Sequence, residues 1–188
     1  MDRYNAGTHR AGLVGLGEAL AEVLVLHGSP GSGKSTLARG LALALSAADV
    51  AWGVIDLDEL SLVHPYPGKG FARDNLRAIW PNYVATIPHI KLIIPMVFDN
   101  EQEVELVRAA LPGARLIIVE TTAPVAVLKK RVTDREPTED VAAGTRTWID
   151  LYHARSDHER IRHFQVTTHP ARVDESVREI LNLTGWLS

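Results

Sequence analysis

The chain has 188 residues, 46% of them apolar and 23% charged, with a formal net charge of −3 at pH 7. That is the size and balance of one globular domain, too short for two independent cores. With no cysteine, disulfides, thiolate zinc sites and cysteine nucleophiles are excluded together, and a slightly negative charge gives no global attraction to nucleic acid or an anionic membrane.

Taken in chain order, residues 1–10 read as a polar, frayed arm without the apolar core of a signal peptide. Residues 11–20 read as a short helix weakened by Gly12, Gly15 and Gly17. The domain proper is expected over 22–188, with 1–21 as an arm. No stretch approaches the roughly 20 apolar residues that span a bilayer, so the expectation is a cytoplasmic protein with no membrane partner.

Val23-Leu24-Val25-Leu26-His27 is an unbroken apolar run ending in a Gly-rich loop, the pattern of a strand buried on both faces. Residues 34–47 follow as a helix, with Leu37, Ala38, Leu41 and Leu45 at helical spacing. The alternation then repeats: strand 50–56, helix 72–86, strand 90–98, helix 100–111, strand 115–121, helix 124–135. Pro95 inside the third strand calls for a bulge or an unusual strand end. Residues 136–144 are polar, with Pro137 and Gly144 near their ends, and read as a short mobile lid. A helix at 145–160, a strand at 163–168 and a helix at 173–182 complete the chain. The fold class is α/β: three layers, with a five-stranded parallel sheet covered by helices on both faces. Ligands of such folds bind along the edge where the strands end.

The motif Gly28-Ser29-Pro30-Gly31-Ser32-Gly33-Lys34-Ser35-Thr36 lies on that edge, between strand and helix. Glycines there let successive amides turn toward phosphate oxygens. Lys34 adds a positive charge near the β- and γ-phosphates, Ser35 a hydroxyl for Mg²⁺, and the helix its positive dipole end. ATP and Mg²⁺ are therefore the expected ligands, and Gly28, Ser29, Gly31, Ser32, Gly33, Lys34, Ser35 and Thr36 the residues that bind them. An Asn-Lys-x-Asp guanine reader is absent, which argues against a GTPase switch.

Asp56 and Asp58 follow the second strand on the same edge. A carboxylate there accepts the proton of an attacking hydroxyl or orders Mg²⁺ through water; Asp58 is the candidate base and Asp56 its support, with the reverse order open. An acidic turn capping a helix is the competing reading. Asp99, after the third strand, is either a Mg²⁺-ordering acid or an N-cap for the helix near Asn100. Arg131 and Arg135 are four residues apart on one helical face before the lid, suited to stacking on a base and neutralising a phosphoryl group. Arg146 and Arg155 are further candidates for phosphate contact.

P-loop, acidic pair, Arg-x3-Arg before a lid, and final strand–helix together resemble the small P-loop kinases of the nucleoside monophosphate kinase-like superfamily. These include adenylylsulfate, gluconate and shikimate kinases and chloramphenicol phosphotransferase. The resemblance covers residues 22–182. It implies an ATP-dependent transfer of the γ-phosphoryl group to a small-molecule hydroxyl. Asp56-Leu57-Asp58 resembles the Asp-Gly-Asp of adenylylsulfate kinases, with Leu57 in place of the glycine. By the same likeness Arg131 would stack on adenine, Arg135 would contact phosphates and act in catalysis, and Arg73 and Asn75 would bind the acceptor. The Asp-Gly-Tyr/Phe-Pro-Arg pattern of adenylate kinases is replaced by Val97-Phe98-Asp99-Asn100, which favours a small hydroxyl compound over a nucleoside monophosphate. A faint similarity of 92–96 and 128–131 to tunicamycin-resistance ATP-binding proteins keeps a nucleoside-like compound or antibiotic open. A non-catalytic ATP-binding protein and a nucleotide or polynucleotide kinase remain as alternatives, the latter disfavoured by charge. The sequence leaves open whether the chain is a monomer or a homodimer.

His153, His158 and His163 are five apart and share no helical face, so the histidines are not expected to hold a metal. The loop His64–Gly70 follows the acidic pair and reads as a wall of the acceptor pocket or a plain connection. Trp52, Trp80 and Trp148 read as core or helix-packing residues.

Overall fold

A computed structural model describes residues 21–187; the arm expected at 1–10 and the helix expected at 11–20 lie outside the described residues. Strands β1 (Ala21–His27), β2 (Trp52–Val54), β3 (Lys91–Met96), β4 (Ala114–Thr122) and β5 (Phe164–Thr167) form one sheet. Its order is β2–β3–β1–β4–β5, with every neighbouring pair parallel. The helices are α1 (Lys34–Ala47), α2 (Leu57–Leu60), α3 (Lys69–Thr86), α4 (Glu101–Ala110), α5 (Val125–Arg135), α6 (Glu139–His153), α7 (His158–Ile161) and α8 (Val173–Thr184). No helix among the described residues is long and apolar enough to cross a membrane.

Successive side chains of a strand point to opposite faces, and here both faces are covered. Val23, Val25, Leu92, Ile94 and Ile118 pack with Leu76, Trp80, Val104 and Val107 from α3 and α4. Leu24, Leu26, Ile93, Ile117 and Val119 pack with α1 and α8 through Leu37, Leu41, Leu45, Val177 and Ile180. Two buried faces require an apolar residue at every position, which is why these strands read as unbroken runs. Helices α5 and α6 pair over a separate small cluster of Ala123, Leu128, Val132 and Ile149.

Pro95 is accommodated without a bulge. The amide of Lys91 and the carbonyl of Ile93 both bond toward the β2 side, to Ala51 and Ile55. Pro95 has the same parity, so its missing N–H faces the space beyond Val54, where β2 has ended. The third strand therefore keeps its register, with Pro95 opposite Leu26.

Two expectations are corrected. The segment 136–144 is not a loop: α6 starts at Glu139, and only residues 136–138 separate it from α5. Thr138 caps it by accepting the Val141 amide at 3.4 Å, and Glu139 and Asp140 sit in its first turn against the dipole. The helix expected at 145–160 breaks after His153. Arg155 holds the turn by donating to the Asp157 carboxylate at 2.9 and 3.0 Å and to the Phe98 carbonyl at 2.6 Å.

Candidate nucleotide and acceptor site

The loop between β1 and α1 depends on its glycines. Gly28, Gly31 and Gly33 have φ of 152°, 77° and 97°, a region side chains disfavour. Gly28 also lacks room, since a Cβ there would stand 2.3 Å from the Thr121 carbonyl oxygen. Ser29 and Ser32 are buried and turn their hydroxyls inward, Ser29 to His153 Nε2 at 3.4 Å and Ser32 to Thr121 Oγ1 at 2.9 Å. Neither residue borders the cleft over the loop, which Pro30, Gly31 and Gly33 line.

Lys34 Nζ folds over the loop and donates to the carbonyls of Gly28 at 2.8 Å and Ser29 at 3.1 Å. Burial pushes its ammonium down to about 8, with Asp58 opposing the shift, Arg135 adding to it and Asp56 opposing it. Lys34, Ser35 and Thr36 border a cleft of about 480 Å³ together with Asp58, Arg131 and Arg135.

Arg131 is anchored along the wall of that cleft. Its Nη1 donates to the Gly31 carbonyl at 3.0 Å and to Thr168 Oγ1 at 3.1 Å, and its Nη2 to the Thr168 carbonyl at 2.9 Å. The guanidinium is thus bonded to the loop and to the end of β5. Arg135, one turn later, is exposed and pairs with Glu136 Oε1, its Nε at 3.1 Å. Arg146 and Arg155 do not border the cleft: Arg146 is held by Glu139 and Thr133, and Arg155 by Asp157 and Phe98.

A second cavity, of about 340 Å³, adjoins the first and shares Pro30, Asp58 and Val97 with it. Asp58 therefore stands where the two meet. Asp56 borders neither cavity; it is the N-cap of α2 and accepts the Asp58 amide at 3.0 Å. Arg73 and Asp99 border the second cavity. Arg73 lies 3.6 Å from Glu103, and the Asp99 amide donates to Glu103 Oε2 at 2.7 Å. The N-cap of α4 is Asn100 rather than Asp99. Asn75 borders neither cavity and donates to the Leu60 carbonyl at 2.9 Å, holding α2 against α3.

Trp80 is core, as expected, with its indole N–H on the Pro112 carbonyl at 3.0 Å. Trp148 instead borders the second cavity, and Trp52 stands 39% exposed at the sheet edge. Tyr66, from the loop before α3, also lines that cavity. Thr168 and Trp148 were not singled out as site residues from sequence. Neither sits in a local motif, and only the fold brings them there.

Behind the loop lies a buried polar network. Tyr152 Oη is 2.9 Å from His27 Nε2 and donates to Glu120 Oε1 at 2.8 Å. His27 Nδ1 accepts the Phe98 amide at 3.1 Å, which leaves the ring proton on Nε2. Burial pushes His27 down to about 3, so it is neutral at ordinary pH. Burial works to raise Glu120, but hydrogen bonds from Arg162 and Tyr152 hold its carboxyl below the usual range. Possible ligand atoms of His27, Glu120 and His158 lie within 4.8 Å of one another. Both oxygens of Glu120 are nevertheless engaged, by Tyr152, Arg162 and Gln165. His158 Nδ1 lies 3.2 Å from Glu120 Oε1.

No family model and no curated protein matches the chain. Solved structures do. An APS kinase from Mycobacterium tuberculosis in complex with AMPPNP and APS is 17% identical, with a TM-score of 0.61 over 89% of this chain and 99% of its own. A gluconokinase from Sinorhizobium meliloti 1021 is 19% identical, TM-score 0.58, over 91% and 99%. A shikimate kinase from Acinetobacter baumannii in complex with shikimate is 18% identical, TM-score 0.55, over 88% and 94%. Together with the sheet order and the glycine loop, these likenesses establish that the chain has the three-layer α/β P-loop fold that these structures share.

Proposed function

We propose that this protein is an ATP-dependent phosphotransferase that acts on a hydroxyl of a small molecule. The observation that carries the reading is the position of Asp58, shared between the cleft of the glycine loop and the adjoining cavity. A donor in one and an acceptor in the other would meet at a carboxylate.

The loop amides and Lys34 would hold the β- and γ-phosphates. Lys34 already donates to two loop carbonyls and would exchange these for phosphate oxygens. Ser35 offers a hydroxyl oxygen at the cleft, the hard donor that suits Mg²⁺, and the ion would neutralise charge on the phosphates. Asp58 would accept the acceptor's hydroxyl proton as its oxygen bonds to the γ-phosphorus and the bond to the ADP oxygen breaks. Asp56 would fix Asp58 through its amide. Arg135, free to swing from Glu136 on the exposed rim, would neutralise the moving group, while Arg131 would keep the loop in shape. Asp99 and Arg73 would face the acceptor. Positioning and charge do most of this work, since phosphoryl transfer asks little covalent chemistry of the protein.

The test is incubation with Mg·ATP and a panel of hydroxylated metabolites, nucleosides and antibiotics, read by mass spectrometry. The expected result is a phosphorylated alcohol and ADP in equal amounts. ATP binding with no product from any acceptor would favour a non-catalytic nucleotide-binding protein instead.

A further inference from the structure

The cavity beside the glycine loop also bears on what kind of alcohol enters it, on the reading above that its occupant is the phosphoryl acceptor. Its wall is largely carbon: Leu57 from α2, Met96 and Val97 at the end of β3, Val107 from α4, and the rings of Tyr66 and Trp148. Among the described residues Arg73 is the single cation of the lining, 3.6 Å from Glu103, and Asp58 and Asp99 add two further carboxylates, so the charged part of the wall repels an acid. Tyr66 is 59% exposed, and its loop also holds Leu62 and Val63 out in solvent. Apolar groups gathered beside a pocket mark a surface that a ligand covers.

A polyhydroxylated acid fits such a wall poorly. Each of its hydroxyls laid against carbon loses water without gaining a partner. A flat ring loses little and gains contact with the two aromatic side chains of the lining. We infer that the acceptor is a ring-bearing alcohol: a hydroxyl carried on or beside an aromatic or otherwise apolar ring that seats against Trp148 and Tyr66. Its reacting oxygen then points at Asp58, the one carboxylate that both cavities share. The oxygen takes the γ-phosphoryl group from ATP, ADP leaves, and Asp58 takes the proton.

Two acceptor sets test this, nucleosides and benzylic alcohols against gluconate, glycerate and related open-chain sugar acids. They are run on the full chain and on Tyr66→Ala, Trp148→Ala and Trp148→Phe. Ring-bearing alcohols should give kcat/KM at least about tenfold above the sugar acids. Tyr66→Ala and Trp148→Ala should each raise the acceptor KM about tenfold and leave the KM for ATP alone, with Trp148→Phe restoring most of the loss. Tyr66 is on an exposed loop, so its removal leaves folding intact even if Trp148→Ala loosens α6. Preference for the sugar acids, or an unchanged acceptor KM in Tyr66→Ala and Trp148→Ala, overturns the inference. If neither set is phosphorylated while ATP binds, the kinase reading fails. Calorimetric titration of the same two sets then judges the cavity alone, and sugar acids binding in preference to ring compounds overturns the inference.

Discussion

Arg131 and Thr168 hold each other twice, guanidinium to hydroxyl at 3.1 Å and guanidinium to carbonyl at 2.9 Å. The same Thr168 hydroxyl lies 3.0 Å from the Ser32 carbonyl and 3.1 Å from that of Thr122, so one proton serves both. With the further bond from Arg131 to the Gly31 carbonyl at 3.0 Å, α5, the glycine loop and the ends of β4 and β5 form one unit. Arg131→Ala should therefore cost about 2–3 kcal/mol of stability, the scale of losing charge-assisted bonds to backbone. It should also weaken nucleotide binding by loosening the loop. Arg131→Lys should recover only part, because an ammonium cannot reproduce the planar fork. Thermal melts and nucleotide titration check this; an Arg131→Ala protein that melts and binds like the parent would contradict it.

Two glycines should respond to alanine in opposite directions. Gly28→Ala drives a Cβ to 2.3 Å from a backbone carbonyl at a φ of 152°, and should abolish nucleotide binding or prevent folding. Gly144 lies within α6 with nothing inside 4 Å of a Cβ, so Gly144→Ala should stabilise by about 0.5–1 kcal/mol. Melting temperatures decide both.

His27 should make the fold sensitive to acid. Its pKa falls from 6.5 to about 3 on burial, so between those values the unfolded chain binds a proton that the folded chain refuses. Stability from this group is complete above 6.5 and falls with pH through the window, by up to about tenfold in the folding constant per pH unit. The titratable groups that act on His27 are Glu120, Lys34, Arg155 and His158, and among them Glu120 alone opposes the shift. Measured between pH 7.5 and 5, stability should fall less steeply in His27→Gln, whatever that variant's absolute stability. Equal slopes in the two proteins would contradict the assignment.

Strands and the glycine loop were legible because their signals are local. The runs Val23–Leu26 and Leu92–Ile94 are apolar at every position because both sheet faces are covered. β2 is shorter than the expected 50–56, a three-residue edge strand with Trp52 partly in water. The start of α6 carries a local signal, Thr138 followed by Glu139 and Asp140, beside the Pro137 and Gly144 that suggest a loop. That Asp58 rather than Asp56 borders the cavities follows from which carboxylate caps α2, a choice that composition does not encode. The network of His27, Glu120 and Tyr152 joins residues up to 125 positions apart and leaves no spacing to read.

In the proposed mechanism Asp58, at the meeting of the two cavities, takes the proton from the acceptor. The most direct measurement compares kcat and nucleotide affinity in Asp58→Asn and Asp56→Asn, using whichever acceptor the panel identifies. Asp58→Asn should lower kcat by about 10²–10⁴ with Mg·ATP affinity retained, and Asp56→Asn should cost less, acting through the α2 cap. An Asp58→Asn protein that transfers phosphate at the parental rate would contradict the account.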